Sequence, residues 1–311
     1  MKRILPILAF FISYSLLAQY TEVINSKRPG YSQSPYSVGT NVYQAEGGLL
    51  YEKAIDSSAF NKAMGSDIFL RAGVLSERLE FNLDLQVQKD FWYDYDILTD
   101  TKSDYNHFGF SKMTLGAKYL IYMPKYKDPS KEIRSWKRKT AFDWNRLIPA
   151  VGIYAGLNTN LLSEPHKMPQ LSPKASILLQ NDFSDYFIWV NNITGDHLTI
   201  NEYRNFGYIS TLIISLTDRF SLYGENQGTF YKHFNEFKLG GGMAYLLSPD
   251  LQIDLNLHRN FNGNYSYMHG GLGVSWRYDN HIDKEINQRP KKDGSGKIRP
   301  KRKFRLFGKR H

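Results

Sequence analysis

Cysteine is absent from this 311-residue chain, which removes disulfides, thiolate chemistry and a lipidated N-terminal cysteine. Long apolar runs are nearly absent as well. Past residue 18 no stretch reaches the roughly 18 apolar residues that a membrane helix needs, and mean hydropathy is negative, so a helical membrane protein is excluded. No HExxH, GxSxG or glycine-rich phosphate loop occurs. His107, His166, His197, His233 and His269 have no partners at ligand spacing, so neither a metal site nor a cofactor is expected. His233 and His269 read as solvated loop residues.

The one apolar run lies at the start. Lys2 and Arg3 precede a stretch from Ile4 to Leu17, and Ala18 is suited to be the last residue before cleavage. Residues 1–18 therefore read as a secretory signal, leaving Gln19 as the new N-terminus.

Beyond it, apolar side chains recur at every second position. Leu79, Phe81, Leu83, Leu85 and Val87 alternate with Glu80, Asn82, Asp84, Gln86 and Gln88, and Leu251, Ile253, Leu255 and Leu257 with Gln252, Asp254, Asn256 and His258. Side chains alternate across a strand, so each segment has one apolar and one polar face. Twelve such strands are expected, near 40–52, 65–75, 79–90, 109–122, 148–159, 174–182, 186–195, 206–216, 219–228, 236–247, 250–259 and 268–279. Tight turns are expected at 76–78, 183–185, 217–218 and 248–249. Long loops are expected at 53–64, 91–108, 160–173, 196–205, 229–235 and 260–267. The connection 124–147 breaks this alternation: it is long, rich in Lys and Arg, and has room for a short helix.

Export, strands of about ten residues, an even strand number and loops long on one rim predict an all-β fold, a transmembrane antiparallel β-barrel. It would occupy the outer membrane with both termini in the periplasm, as one domain over 19–283 that includes a short N-terminal periplasmic segment. Outer-membrane lipid is then a partner, and no nucleic acid is. Tyr43, Tyr51, Phe69, Phe91, Trp92, Tyr93, Tyr119, Tyr122, Trp189, Tyr208, Phe220, Tyr245, Trp276 and Tyr278 fall near expected strand ends, as interfacial girdles do. Gly271, Gly273, Trp276 and Tyr278 on the last strand resemble the terminal-strand signal read by the barrel assembly machinery.

Several segments resemble the outer-membrane "transporter" proteins of Bacteroidetes that are grouped with the MetA-pathway phenol-degradation family. These are Ile24-Asn25-Ser26-Lys27-Arg28-Pro29-Gly30, Ser37-Val38-Gly39-Thr40, Tyr43-Gln44-Ala45-Glu46-Gly47-Gly48, Glu225-Asn226-Gln227-Gly228 and Gly241-Gly242-Met243-Ala244-Tyr245-Leu246. The resemblance extends over nearly all of 20–280. It implies a barrel that moves small solutes, aromatic or hydrophobic compounds among them.

Alternation places Gln44, Glu46, Arg71, Glu80, Asn82, Asp84, Gln86, Lys112, Lys118, Asn158, Lys174, Gln180, Glu225, Gln227, Lys238, Asp254, His258 and Arg277 toward the lumen. Both signs of charge are present, which suits either a selectivity lining or an ion-pair network that fills the bore. Twelve strands lie between barrels that side chains fill and porins that stay open, so a narrow, partly occluded pore is expected. Gly47, Gly48, Gly240, Gly241 and Gly242 mark places where a strand bends or another group packs close. Asn256, His258 and Ser275 share the inner face, the wrong side for lipid hydrolysis, and the chain reads as no enzyme.

Residues 284–311 carry twelve Lys or Arg and two acidic residues, whereas 19–283 holds 26 basic against 28 acidic. The net basicity of the protein thus sits in its tail and signal. This tail reads as a disordered periplasmic extension, able to meet anionic lipid or a periplasmic partner. The sequence supports a channel or transporter for a small solute. The alternative is a structural or interaction barrel with a plugged lumen, whose periplasmic connection and tail bind a partner.

Overall fold

The computed structural model describes residues 23–56, 60–96, 101–127, 142–261 and 266–281. The expected signal, the tail 284–311 and most of the basic connection 128–141 lie outside these residues. Twelve strands run in chain order: β1 (Val42–Asp56), β2 (Phe60–Gly73), β3 (Leu79–Asp96), β4 (Thr101–Tyr122), β5 (Ala150–Asn158), β6 (Ser172–Asp182), β7 (Phe187–Asp196), β8 (Asn205–Ser215), β9 (Phe220–Phe230), β10 (Asn235–Ser248), β11 (Leu251–Asn260) and β12 (Ser266–Asp279). Each pairs antiparallel with its sequence neighbours, and β1 pairs with β12 to close the barrel. Closure removes every sheet edge, as backbone facing lipid requires.

The register explains the outer surface. Leu83 lies opposite Leu70 on β2 and Leu115 on β4, and Leu255 lies opposite Met243 on β10 and Leu272 on β12. Repeated around the wall, such cross-strand pairs leave a continuous belt of exposed Leu, Ile, Val and Phe. Their sequence neighbours face inward and are buried: Glu46, Glu80, Asn82, Lys118, Glu225, Asp254 and His258 among them. An apolar exterior around a polar interior is a water-soluble protein turned inside out, the architecture of an outer-membrane barrel.

The first two hairpins are longer than the alternation suggested. Where loops were expected at 53–64 and 91–108, β1 and β2 run on to Asp56 and from Phe60, while β3 and β4 run on to Asp96 and from Thr101. The apolar phase ends near Gln88 because the strands leave the lipid there, while backbone pairing continues. With 18 residues, β3 is about 60 Å of chain, well beyond what a 25 Å apolar band takes at a 45° tilt. The rim bearing these hairpins also carries 159–171 and 197–204. The other rim has short turns at 74–78, 183–186, 216–219 and 249–250.

Other expectations need correction. Phe69, assigned to a girdle, is buried and faces the lumen, because β2 puts Phe69 and Arg71 on one face. His269 is no solvated loop residue: β12 begins at Ser266, so His269 lies on the inner wall. Among its described residues, the connection after β4 has a 3-10 turn at Trp144–Leu147, capped by Asp143. The backbone N–H of Lys127, and after it that of Asn145, holds the Asp143 carboxyl below the usual carboxylate range against the opposing effect of desolvation.

A lumen divided by the N-terminal segment

The segment 23–41, expected as a lead-in outside the barrel, lies inside it. It enters at the short-turn rim, where the Ile24 N–H donates to Pro249 O, and leaves there, where the Asn41 N–H donates to Gly73 O. Between these points it rises to Tyr31 and returns. Proline and glycine at 29, 30 and 35 leave it without strand structure, so its backbone groups must find partners on the wall.

Ionised side chains supply most of them. Glu46 Oε2 accepts the Ser26 hydroxyl and the N–H groups of Lys27 and Arg28, at 2.7, 3.0 and 3.1 Å. Glu80 Oε2 accepts the Val38 N–H, while Lys118 Nζ donates to the carbonyls of Ser34 and Tyr36 at 3.0 and 2.8 Å. Glu225 accepts from the N–H groups of Tyr31 and Ser32. In return the segment contributes two cations. Arg28 pairs with Asp67 and Asp254, and Lys27 with Asp84, which Lys112 also contacts at 2.8 Å. Behind this layer Arg71 bridges Glu46 and Glu80, and Lys118 pairs with Glu80 at 3.2 Å. The Ser275 hydroxyl lies 2.7 Å from that of Ser26.

Gly48 and Gly273 face each other across the β1–β12 seam, and a Cβ at either would collide with the Arg28 guanidinium. The paired glycines make the flat floor on which Arg28 rests.

The segment splits the bore into two chambers. That toward the long-loop rim measures about 320 Å³ and is walled by Lys27, Tyr31, Asp84, Lys112, Lys174, Gln227, Lys238, His258 and His269, with Leu178 and Ile209 as apolar patches. That toward the short-turn rim measures about 150 Å³ and is more apolar, with Ile24, Pro29, Ile188, Val190, Ile213 and Ala244 beside Gln180, Thr211 and Gln252. Above the larger chamber the 159–171 connection bends over the wall, where His166 Nε2 lies 2.7 Å from Asp90.

The residues expected to line the lumen all face inward: Gln44 donates to the Asn25 carbonyl, Asn82 is buried, Gln86 and Lys174 border the larger chamber and Gln180 the smaller, and the other thirteen fall in three groups. Glu46, Glu80, Lys118, Glu225 and Asp254 hold the segment directly, and Arg71 reaches the Asn25 carbonyl as well as its two glutamates. Asp84, Lys112, Gln227, Lys238 and His258 border the larger chamber. Asn158 bonds Thr114 and Asp196, and Arg277 pairs with Asp250 at the rim. Lys27, Arg28, Tyr31 and Gln33 were not anticipated. Only the facing glycines hinted at them, and only after strand register is known. Among the described residues no His, Asp or Glu group has metal-binding geometry.

Comparison with solved structures returns barrels of low identity. The COG4313 outer membrane channel from Pseudomonas putida F1 is similar over 82% of this chain and 100% of its own, at 11% identity and TM-score 0.49. The CymD monoaromatic hydrocarbon channel covers 78% of this chain and 90% of its own, at 11% identity and TM-score 0.42. The P. putida toluene transporter TodX covers 86% and 100%, at 9% identity and TM-score 0.41. The fold stands on the closed strand order, independently of these likenesses. No curated protein matches in sequence. A family model does, over residues 26–278, a span that takes in most of the inserted segment along with the barrel wall. The chain belongs to the family described as "Putative MetA-pathway of phenol degradation".

Proposed function

We propose that this protein is a channel through the outer membrane for a small solute, with its short-turn rim and both termini in the periplasm. The observation that carries this reading is the divided lumen: two chambers of about 320 and 150 Å³ lie on either side of a segment that narrows the bore. The smaller chamber has the volume of a cavity that holds one benzene ring. Family membership, and the aromatic and hydrophobic compounds named for CymD and TodX, point to the same solute class. Such a channel is no enzyme. It needs no cofactor, and its partners are lipid and solute, with the barrel assembly machinery during insertion.

The number of charged groups clamping the segment favours a second reading, a barrel permanently plugged, whose basic connection and tail hold a partner. Single-channel recording of the purified protein in planar bilayers separates the two. Stepwise conductance is expected for the channel, and silence at every voltage would favour the plug. A peptide spanning 297–311 is expected to bind anionic vesicles in a salt-sensitive way if the tail meets lipid. Equal binding to neutral vesicles would exclude that role.

A further inference from the structure

The segment is held unevenly. Against β1–β4, β9 and β11 it is held mainly by carboxylates, lysine and arginine, with neutral bonds from Gln44, Tyr223 and Gln252, and against β12 by the Ser275 hydroxyl and His269. Against β6, β7 and β8, among the described residues, its hydrogen bonds are Tyr36 to Asp182 at the rim and one neutral pair in mid-bore. In that pair Asn192 Oδ1 accepts the Gln33 N–H at 2.6 Å, and Asn192 Nδ2 donates to the Gln33 carbonyl at 2.8 Å. The strands that carry this weak hold also border both chambers. Leu178 and Asn192 border the larger, Gln180 and Val190 the smaller, each two residues nearer the short-turn rim on β6 or β7. The two chambers thus adjoin along β6–β8, and the Gln33–Asn192 pair stands between them.

We propose that solute crosses between the inserted segment and the β6–β8 wall, and that Asn192 is the latch it must release from Gln33. This rests on the channel reading and assigns its path. The charged half of the segment stays fixed during passage, because moving it would strip the buried Arg28 of Asp67 and Asp254. The Gln33 side gives way, because two neutral hydrogen bonds exchange readily for bonds to water or to a hydroxyl or carbonyl on the solute. Such a solute replaces Gln33 on the Asn192 amide while its apolar body lies against Leu178 and Val190. A small ring bearing one hydrogen-bonding group fits this wall better than a plain hydrocarbon, which would leave the amide unpaired.

Full-length protein in planar bilayers tests this, with folding checked by heat-modifiable mobility on gels. Asn192→Ala removes both bonds and is expected to raise the open fraction by roughly tenfold. The chain has no cysteine of its own, so the double variant Gln33→Cys/Asn192→Cys can be joined by a short, reducible thiol-reactive linker. Joining is expected to close the channel and reductant to reopen it. This second measurement stands even where Asn192→Ala folds poorly. A conducting wild type whose conductance neither the alanine substitution nor the cross-link alters would overturn the path and leave the channel reading intact. Silence of the wild type, of Asn192→Ala and of the reduced double variant would remove both.

Discussion

The two sides of the lumen differ in what they offer the chain that passes between them. On the side of β1–β3 and β11–β12 the wall presents Glu46, Asp67, Arg71, Glu80 and Asp254, most of them buried and all engaged with the segment or with one another. On the side of β6–β8 it presents Leu178, Ile188, Val190, Ile209 and Ile213 beside the amide of Asn192. A buried charge cannot lose its partner cheaply, whereas an apolar wall holds a polar backbone only weakly. One barrel therefore contains an anchor and a sliding face, separated by the width of a single extended segment.

The largest effect is expected at the anchor. Glu80→Gln leaves Lys118 without its carboxylate and Arg71 with only the 3.4 Å ion pair to Glu46 beside the Asn25 carbonyl, both cations buried. The cost to folding should be about 3–5 kcal/mol, as for breaking a buried ion pair by removing one partner. Denaturant unfolding in detergent measures it, and a cost within error of zero would erase the distinction between the two walls. Next in size is the outer belt. Leu83→Arg puts a cation toward lipid between Leu70 and Leu115 and should cost about 2–4 kcal/mol near mid-membrane. A harmless Leu83→Arg would mean that β3 has the opposite phase, and would put Glu80 outside with it.

How much of this was legible in the sequence follows the same divide. Strand number, closure and the inward phase of Glu80, Asp84, Asp254 and His258 follow from two-residue alternation, a local signal. Alternation is also what fails at β7, where Ile188 and Val190 face in while Trp189 and Ile193 face out, and at β8, where Ile209 and Ile213 face in while Leu212 and Ile214 face out, so both faces are apolar. Such a strand carries no mark of which side meets lipid, and the apolar wall could not be read in advance. The inserted segment was hidden for another reason. Its partners lie up to 249 residues away in sequence, as for Ser26 and Ser275, and nothing in 23–41 alone distinguishes a lumenal strap from a free leader. The long first hairpins escaped because strand pairing persists beyond the lipid, where polarity no longer alternates.

The smallest effect is expected on the sliding face. Ile213→Ala trims a side chain that borders the short-turn chamber and supports no ion pair or hydrogen bond of the segment. A buried isoleucine cut to alanine costs about 2–5 kcal/mol through lost contacts and the cavity left behind. Here one flank already faces open space, so the cost should fall to about 1 kcal/mol or less, within the range of ordinary surface substitutions. The same truncation widens the passage beside Val190, so conductance should rise while denaturant stability stays near that of the wild type. Paired with Glu80→Gln this gives opposite signatures from two lumenal positions: lost stability at the anchor, and altered permeation with stability retained on the sliding face. If Ile213→Ala instead destabilised the barrel as much as Glu80→Gln, the β6–β8 wall would be packed as tightly as the anchor, and solute would need another way through.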